Sequence, residues 1–153
     1  MKHNYGSKQH NRRESDIKVP IPIHFFVDEK KTILRPSLLS DEAEKLSDFF
    51  VAKSNMSIHQ LRKFYNQILA IKQRIENKEN KDEEFKRQLP YIKMLKAQAA
   101  YARARKHVTD NFKLFMEKQI DVVDDKKDFD AFCELFEAIV AFAVANNKKY
   151  KNR

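Results

Sequence analysis

The chain of 153 residues contains a single glycine, Gly6. Glycine is the residue that allows tight turns and close backbone approach to a ligand, so everything after residue 6 must fold without it. A phosphate-cradling Gly-rich loop and a dinucleotide fingerprint both need glycines at fixed spacing, and neither is present. The four prolines lie at or before Pro90, which leaves residues 91–153 without a strong helix breaker. Ala, Leu, Lys, Glu, Gln and Arg dominate residues 40–149, and these residue types favour helix. The expectation is an all-α fold, a compact bundle of about five helices with an extended, flexible N-terminal tail. Residues 1–39 are the tail, disordered or docked on a partner, and residues 40–150 are a single helical-bundle domain, long enough to bury a real core.

The only cysteine, Cys133, lies in the apolar run Phe132-Cys133-Glu134-Leu135-Phe136 and reads as a small buried side chain. One thiol cannot make an internal disulfide, which fits a reducing compartment. No apolar segment of signal-peptide type follows the Lys/His start. The longest apolar run, Ala138 to Ala145, is too short to span a bilayer. A cytoplasmic protein with no membrane partner is expected.

Along the chain, residues 1–18 are polar and charged and read as disordered. Residues 19–27 are very apolar and held extended by Pro20 and Pro22. Such a segment docks either on its own core or on a neighbouring chain. Ser40, followed by Asp41 and Glu42, reads as the cap of a first helix. Ser57 and Gln60 form a capping box for a second, running to about Asn77. A polar turn over 77–82 leads to a third helix over about 83–108, which Pro90 either kinks or restarts. Thr109 caps a fourth helix to about Val123, and Asp124-Asp125 leads into a last one over about 126–149. That last helix is apolar nearly all round from Leu135 to Ala145, the mark of a buried central helix or of a subunit interface.

Charge is unevenly placed. Residues 57–108 carry thirteen Lys or Arg against five Asp or Glu, and residues 109–147 carry four against nine, within a total of +9. On the second helix Leu61, Phe64, Ile68, Ile71 and Ile75 form the core seam. Arg62, Lys63, Asn66, Gln67, Ala70, Gln73 and Arg74 share the opposite side, within about 140° of arc. No acid occurs between Ile58 and Ile75, whereas an ordinary solvated face mixes signs. On the third helix Met94, Ala97, Tyr101, Ala104 and Val108 step as a core seam. Lys93, Lys96, Ala100, Arg103 and His107 share a face about 80° wide, again with no acid from Tyr91 to Thr109. Small Ala100 lets a phosphate backbone come close. Two acid-free basic faces on consecutive helices suit a polyanion, because each Lys or Arg that reaches a phosphate releases a condensed counterion.

Other chemistry is weakly supported. His3, His10, His24, His59 and His107 show no metal-ligand spacing, and no Ser, Thr or Cys nucleophile sits three or four residues from His107. Asp121, Asp124, Asp125, Asp128 and Asp130 lack the glycine turn and terminal glutamate of an EF-hand and read as helix caps. No metal and no cofactor are expected. Tyr65 could stack on a base, and so could Tyr101, although its spacing places it in the core seam.

The block Gln60-Leu61-Arg62-Lys63-Phe64-Tyr65-Asn66, followed about thirty residues later by Leu95-Lys96 and Tyr101-Ala102-Arg103-Ala104-Arg105, resembles the small-subunit (Csm) family of type III-A CRISPR interference complexes. A closing helix like Phe129 to Ala143 is similar too, so the resemblance spans roughly residues 40–145. It implies a compact helical protein without catalytic activity, stacked in several copies along a ribonucleoprotein where small subunits line the target-RNA channel. Target-RNA cleavage then belongs to the backbone subunits, and the nuclease and cyclic-oligoadenylate activities to the large subunit. Carried over by position, Arg62 and Lys63 match the family's basic pair, and Tyr101 and Arg105 match the tyrosine and arginine of its second block. By helical angle Arg105 lies off the Lys93 stripe, near the core seam, which makes an intramolecular salt bridge its other reading.

The reading is therefore a non-catalytic RNA-binding small subunit of a type III-A CRISPR effector, acting in antiviral defence. It contacts target RNA, or the guide–target backbone, without sequence preference. Arg62, Lys63, Arg74, Lys93, Lys96, Arg103 and Arg105 are the RNA-binding candidates. The partners are guide RNA, single-stranded target RNA, other subunits of the complex and further copies of the chain. The rivals are a helical DNA-binding regulator, which would need a short turn usually containing glycine, and a scaffold or adaptor with a basic surface.

Overall fold

The computed structural model describes residues 21–53 and 56–147. Five α-helices make up the body: α1 Ala43–Ser47, α2 Ile58–Glu76, α3 Lys81–Ala104, α4 Asp110–Asp121 and α5 Lys126–Ala145. Wider π turns, Leu38–Glu42 and Asp48–Lys53, extend α1 at both ends. No strand occurs among the described residues; one isolated antiparallel bridge joins Phe26 and Leu34. Residues 1–18, expected to be disordered, lie outside the described residues.

Four helix starts are closed by side chains that the sequence places there. Ser57, Asn80, Thr109 and Asp125 accept from the backbone N–H groups of Gln60, Glu83, Phe112 and Asp128, at 3.1, 3.1, 3.2 and 2.9 Å. Each takes up one of the donors that a helix start leaves unpaired. The first helical stretch departs from expectation. It begins at Leu38, so Ser40 lies inside it and does not cap it. Glu42 organises this start: Ser37 Oγ donates to its carboxylate at 2.8 Å and Arg35 pairs with it. Pro90 does not restart a helix, because α3 runs through it. Its ring faces water, and the carbonyl it strips of a donor belongs to exposed Lys86, where solvent can take the bond.

The lack of glycine shows at two turns. Lys31 and Lys106 adopt φ of 57° and 61°, the left-handed region that glycine enters without cost. Lys106 ends α3, and the bond from His107 N–H to the Ala102 carbonyl, 2.9 Å, completes the helix-closing motif usually built on glycine. Lys31 turns the loop over 26–34 and is held there by Asp125 at 2.8 Å and Asp128 at 2.9 Å.

The core is aromatic. Phe112 of α4 meets Phe64 of α2 at 5.0 Å, Phe50 at 5.3 Å and Phe136 of α5 at 6.3 Å between ring centroids. The seam of α2, Leu61 to Ile75, is buried as its spacing predicts, and α5 buries Phe129, Phe132, Leu135, Phe136, Ile139 and Ala143. Of the seam predicted for the third helix only Val108, past the end of α3, is buried. Met94 and Tyr101 are 47% and 63% exposed, while Ile92, Leu95, Ala99 and Ala102 face the core. Both rows step at helical spacing, and periodicity alone cannot say which one docks. Of the two places open to residues 19–27, the described part, 21–27, takes the chain's own core. Ile23 and Phe25 are buried there. The fully buried carboxamide of Gln119 grips the Ile23 backbone, accepting from its N–H at 3.0 Å and donating to its carbonyl at 2.9 Å.

Gln119→Ala leaves both Ile23 backbone groups unpaired in the core. It should lower unfolding free energy by about 1–3 kcal/mol in denaturant titration. Lys106→Gly should raise it by about 1 kcal/mol. Lys31→Gly should show no such gain, because it also removes the ammonium that holds Asp125 and Asp128.

Candidate nucleic-acid interface

The α2 face survives folding as an open basic surface. Arg62, Lys63, Asn66 and Arg74 are exposed, and Gln67 and Ala70 are half-buried between them. Neither Arg62 nor Lys63 forms an ion pair with any described residue. Arg74 lies about 16 Å along the axis from Lys63 on the same side and donates to the Gln88 side chain of α3 at 3.3 Å. Because α2 packs its other side on α5 and the aromatic core, this face has no room to turn inward.

The second predicted stripe is engaged within the chain. Lys93 Nζ donates to the Ile120 and Val123 carbonyls, 2.9 Å each, at the C-terminal end of α4, where the helix dipole favours a cation. Lys96 pairs with Asp121, and Arg103 pairs with Asp110 at 2.5 Å. The Lys96 ammonium beside Asp121 holds that carboxyl below its ordinary value of 3.8. Asp110 holds the Arg103 guanidinium above its ordinary value. Lys93, Lys96 and Arg103 therefore fasten α3 to α4. The sequence showed these cations and, separately, the acids of 109–147; only the fold brought them together.

Arg105 follows neither stripe. It is exposed, and its Nη1 donates to the Tyr101 hydroxyl at 2.9 Å, with the guanidinium carbon 5.6 Å from the ring centre. It makes no salt bridge among the described residues. Tyr101 and Arg105 instead line a groove of about 360 Å³ between α2 and α3, together with Lys63, Gln67, Gln98 and His107. Tyr101, Gln98 and His107 were absent from the RNA-binding candidates. The available signal was the acid-free run from Tyr91 to Thr109, once Tyr101 is released from the core seam.

Among the described residues no group of His, Cys, Asp and Glu could hold a metal ion, and no helix is long and apolar enough to cross a membrane. Burial pushes the Cys133 thiol up to about 12, so it is not a thiolate nucleophile at neutral pH.

Among the described residues the helical body presents an open cationic face on α2. The Csm2 type III-A family matches residues 34–149. The chain belongs to that family, the small subunit of the type III-A CRISPR complex, and works as part of a Csm effector complex with other subunits. No curated protein and no solved structure matches it.

Asp121 supplies a pH test. With its pKa depressed in the fold, the stability it contributes is complete above 3.8 and lost as pH falls below that value. Its carboxyl should titrate below 3.8 by NMR and return towards 3.8 in Lys96→Ala. Lys93→Ala should cost about 1–2 kcal/mol of stability, whereas Arg62→Ala and Lys63→Ala should stay within about 0.5 kcal/mol.

Proposed function

We propose that the chain is a non-catalytic RNA-binding subunit that holds single-stranded target RNA, or the guide–target backbone, through phosphate contacts without reading sequence. The observation that carries this is the α2 face: cations without carboxylate partners, on a rigid helix, over a run with no acid from Ile58 to Ile75. Cations already paired must give up a partner to reach a phosphate, and Arg62 and Lys63 need not. Arg62, Lys63, Arg74 and Arg105 are the proposed contacts. Lys93, Lys96 and Arg103 are proposed as structural. Guide–target pairing supplies sequence, so this subunit needs no base-edge code. Cleavage lies with other subunits, and the site of action is the cytoplasm, in antiviral defence.

Stacking of copies is part of the same reading. Glu134, Glu137, Ala141 and Val144 step along the exposed side of α5, with Val144 50% exposed and Phe142 half-buried beside it. An acidic and apolar row of this kind fits the basic flank of another copy, and a head-to-tail contact of that type does not close on itself.

Binding of a short single-stranded RNA should fall with salt, with a log–log slope near −3 for about four phosphate contacts at roughly −0.7 each. Arg62→Ala with Lys63→Ala should bring the slope to about −1.4. Lys96→Ala with Arg103→Ala should leave it unchanged. A salt-independent affinity, or preference for one duplex DNA sequence, would refute the reading.

A further inference from the structure

The groove between α2 and the C-terminal part of α3 has features that backbone binding leaves unused. The first is Tyr101, a residue 63% exposed. A large ring facing water forgoes the burial that favours aromatic residues. This one is nevertheless held in a fixed pose, since Arg105, one turn further on, bonds its hydroxyl at 2.9 Å and packs its guanidinium near the ring.

The second is a pair of carboxamides. Gln67 on α2 and Gln98 on α3 face the same groove, and the side-chain oxygen of each is buried without a hydrogen-bond partner. A buried acceptor left unpaired is destabilising. Each side chain lines the groove, so its carboxamide is within reach of a ligand N–H that enters there. The third is charge. Lys63 and Arg105 stand at the groove, and no carboxylate lines it.

The geometry points to a binding site for one unpaired nucleobase of an RNA strand. The base stacks on the Tyr101 ring and turns its hydrogen-bonding edge to Gln98 and Gln67, while Lys63 and Arg105 take the adjoining phosphates. Every base has a face to stack, and a carboxamide offers both a donor and an acceptor, so the site does not choose strongly among the four bases. It does choose unpaired over paired nucleotides. In a duplex the edge is already bonded and both faces are covered. The inference rests on the RNA-binding reading above and adds to it that the bases are held as well as the backbone.

The test compares a short fluorescent single-stranded RNA with the same strand carrying abasic sites, titrated with the full chain. The abasic strand keeps every phosphate and loses only the bases. Wild type should bind the intact strand more tightly. Tyr101→Ala should weaken intact-strand binding by about tenfold, leave the abasic strand unaffected and leave the salt slope unchanged. Tyr101→Phe, which keeps the ring, should retain most of the affinity. Gln67→Leu with Gln98→Leu should raise the thermal midpoint, because two unpaired acceptors are gone, yet weaken binding of the intact strand only. Equal binding of intact and abasic strands by wild type overturns the inference while leaving backbone binding in place. A Tyr101→Ala protein with altered sedimentation and unaltered RNA affinity also overturns it, since the ring is then a protein contact. Absence of binding to either strand at low salt overturns the RNA-binding reading itself.

Discussion

Phe112 is the contact on which the arrangement of helices depends. Its ring, fully buried, touches Phe64 of α2, Phe136 of α5, Phe50 after α1 and Phe115 on its own helix. Edge-to-face pairs of this kind add to the burial of their area, and they require the four segments to meet at one point. With the core seam of α2 committed to that point, the polar side of α2 has to face outward. The openness of Arg62 and Lys63 is thus a consequence of where the phenylalanines lie.

Electrostatics inside the chain sorts the remaining cations into two classes. The acids concentrated after residue 109 are largely directed at the chain itself. Asp121 and Asp110 meet Lys96 and Arg103, Asp125 and Asp128 meet Lys31, and Asp130 meets Lys126 at 2.7 Å. Individually exposed pairs contribute little stability. Their effect here is on placement: they fix α4 and the loop over 26–34 against the body and neutralise the flank of α3 that turns towards α4. Arg62 and Lys63 on the α2 face and Arg105 at the end of α3 have no carboxylate partner among the described residues, and those two surfaces adjoin across one groove.

The groove also departs from the consistency found elsewhere. The starts of α2, α3, α4 and α5 are capped, and the buried Gln119 is satisfied on both sides of its carboxamide. Against that background, two unpaired glutamine oxygens and an exposed tyrosine concentrated at one place mark where local rules yield to another demand. The same groove carries Lys63 and Arg105.

Much of this was legible in the residues themselves. The all-α class followed from the glycine count and from helix-favouring composition, and the starts of α2, α4 and α5 followed from capping residues that act over three positions. The buried seam and basic face of α2 followed from one periodic pattern with no competing row. These are short-range properties, set by a helix turn and the groups within it. Three features required the tertiary structure. Helix α3 carries two apolar rows, and only the positions of α2 and α4 decided that Ile92 and Leu95 would be covered and Tyr101 left open. The partners of Lys93, Lys96 and Arg103 lie seven to thirty residues away in sequence, so whether these cations faced a phosphate or a carboxylate depended on the docking of α4. The groove draws Gln67 from one helix and Gln98 and Tyr101 from another, and it exists only once the two are side by side.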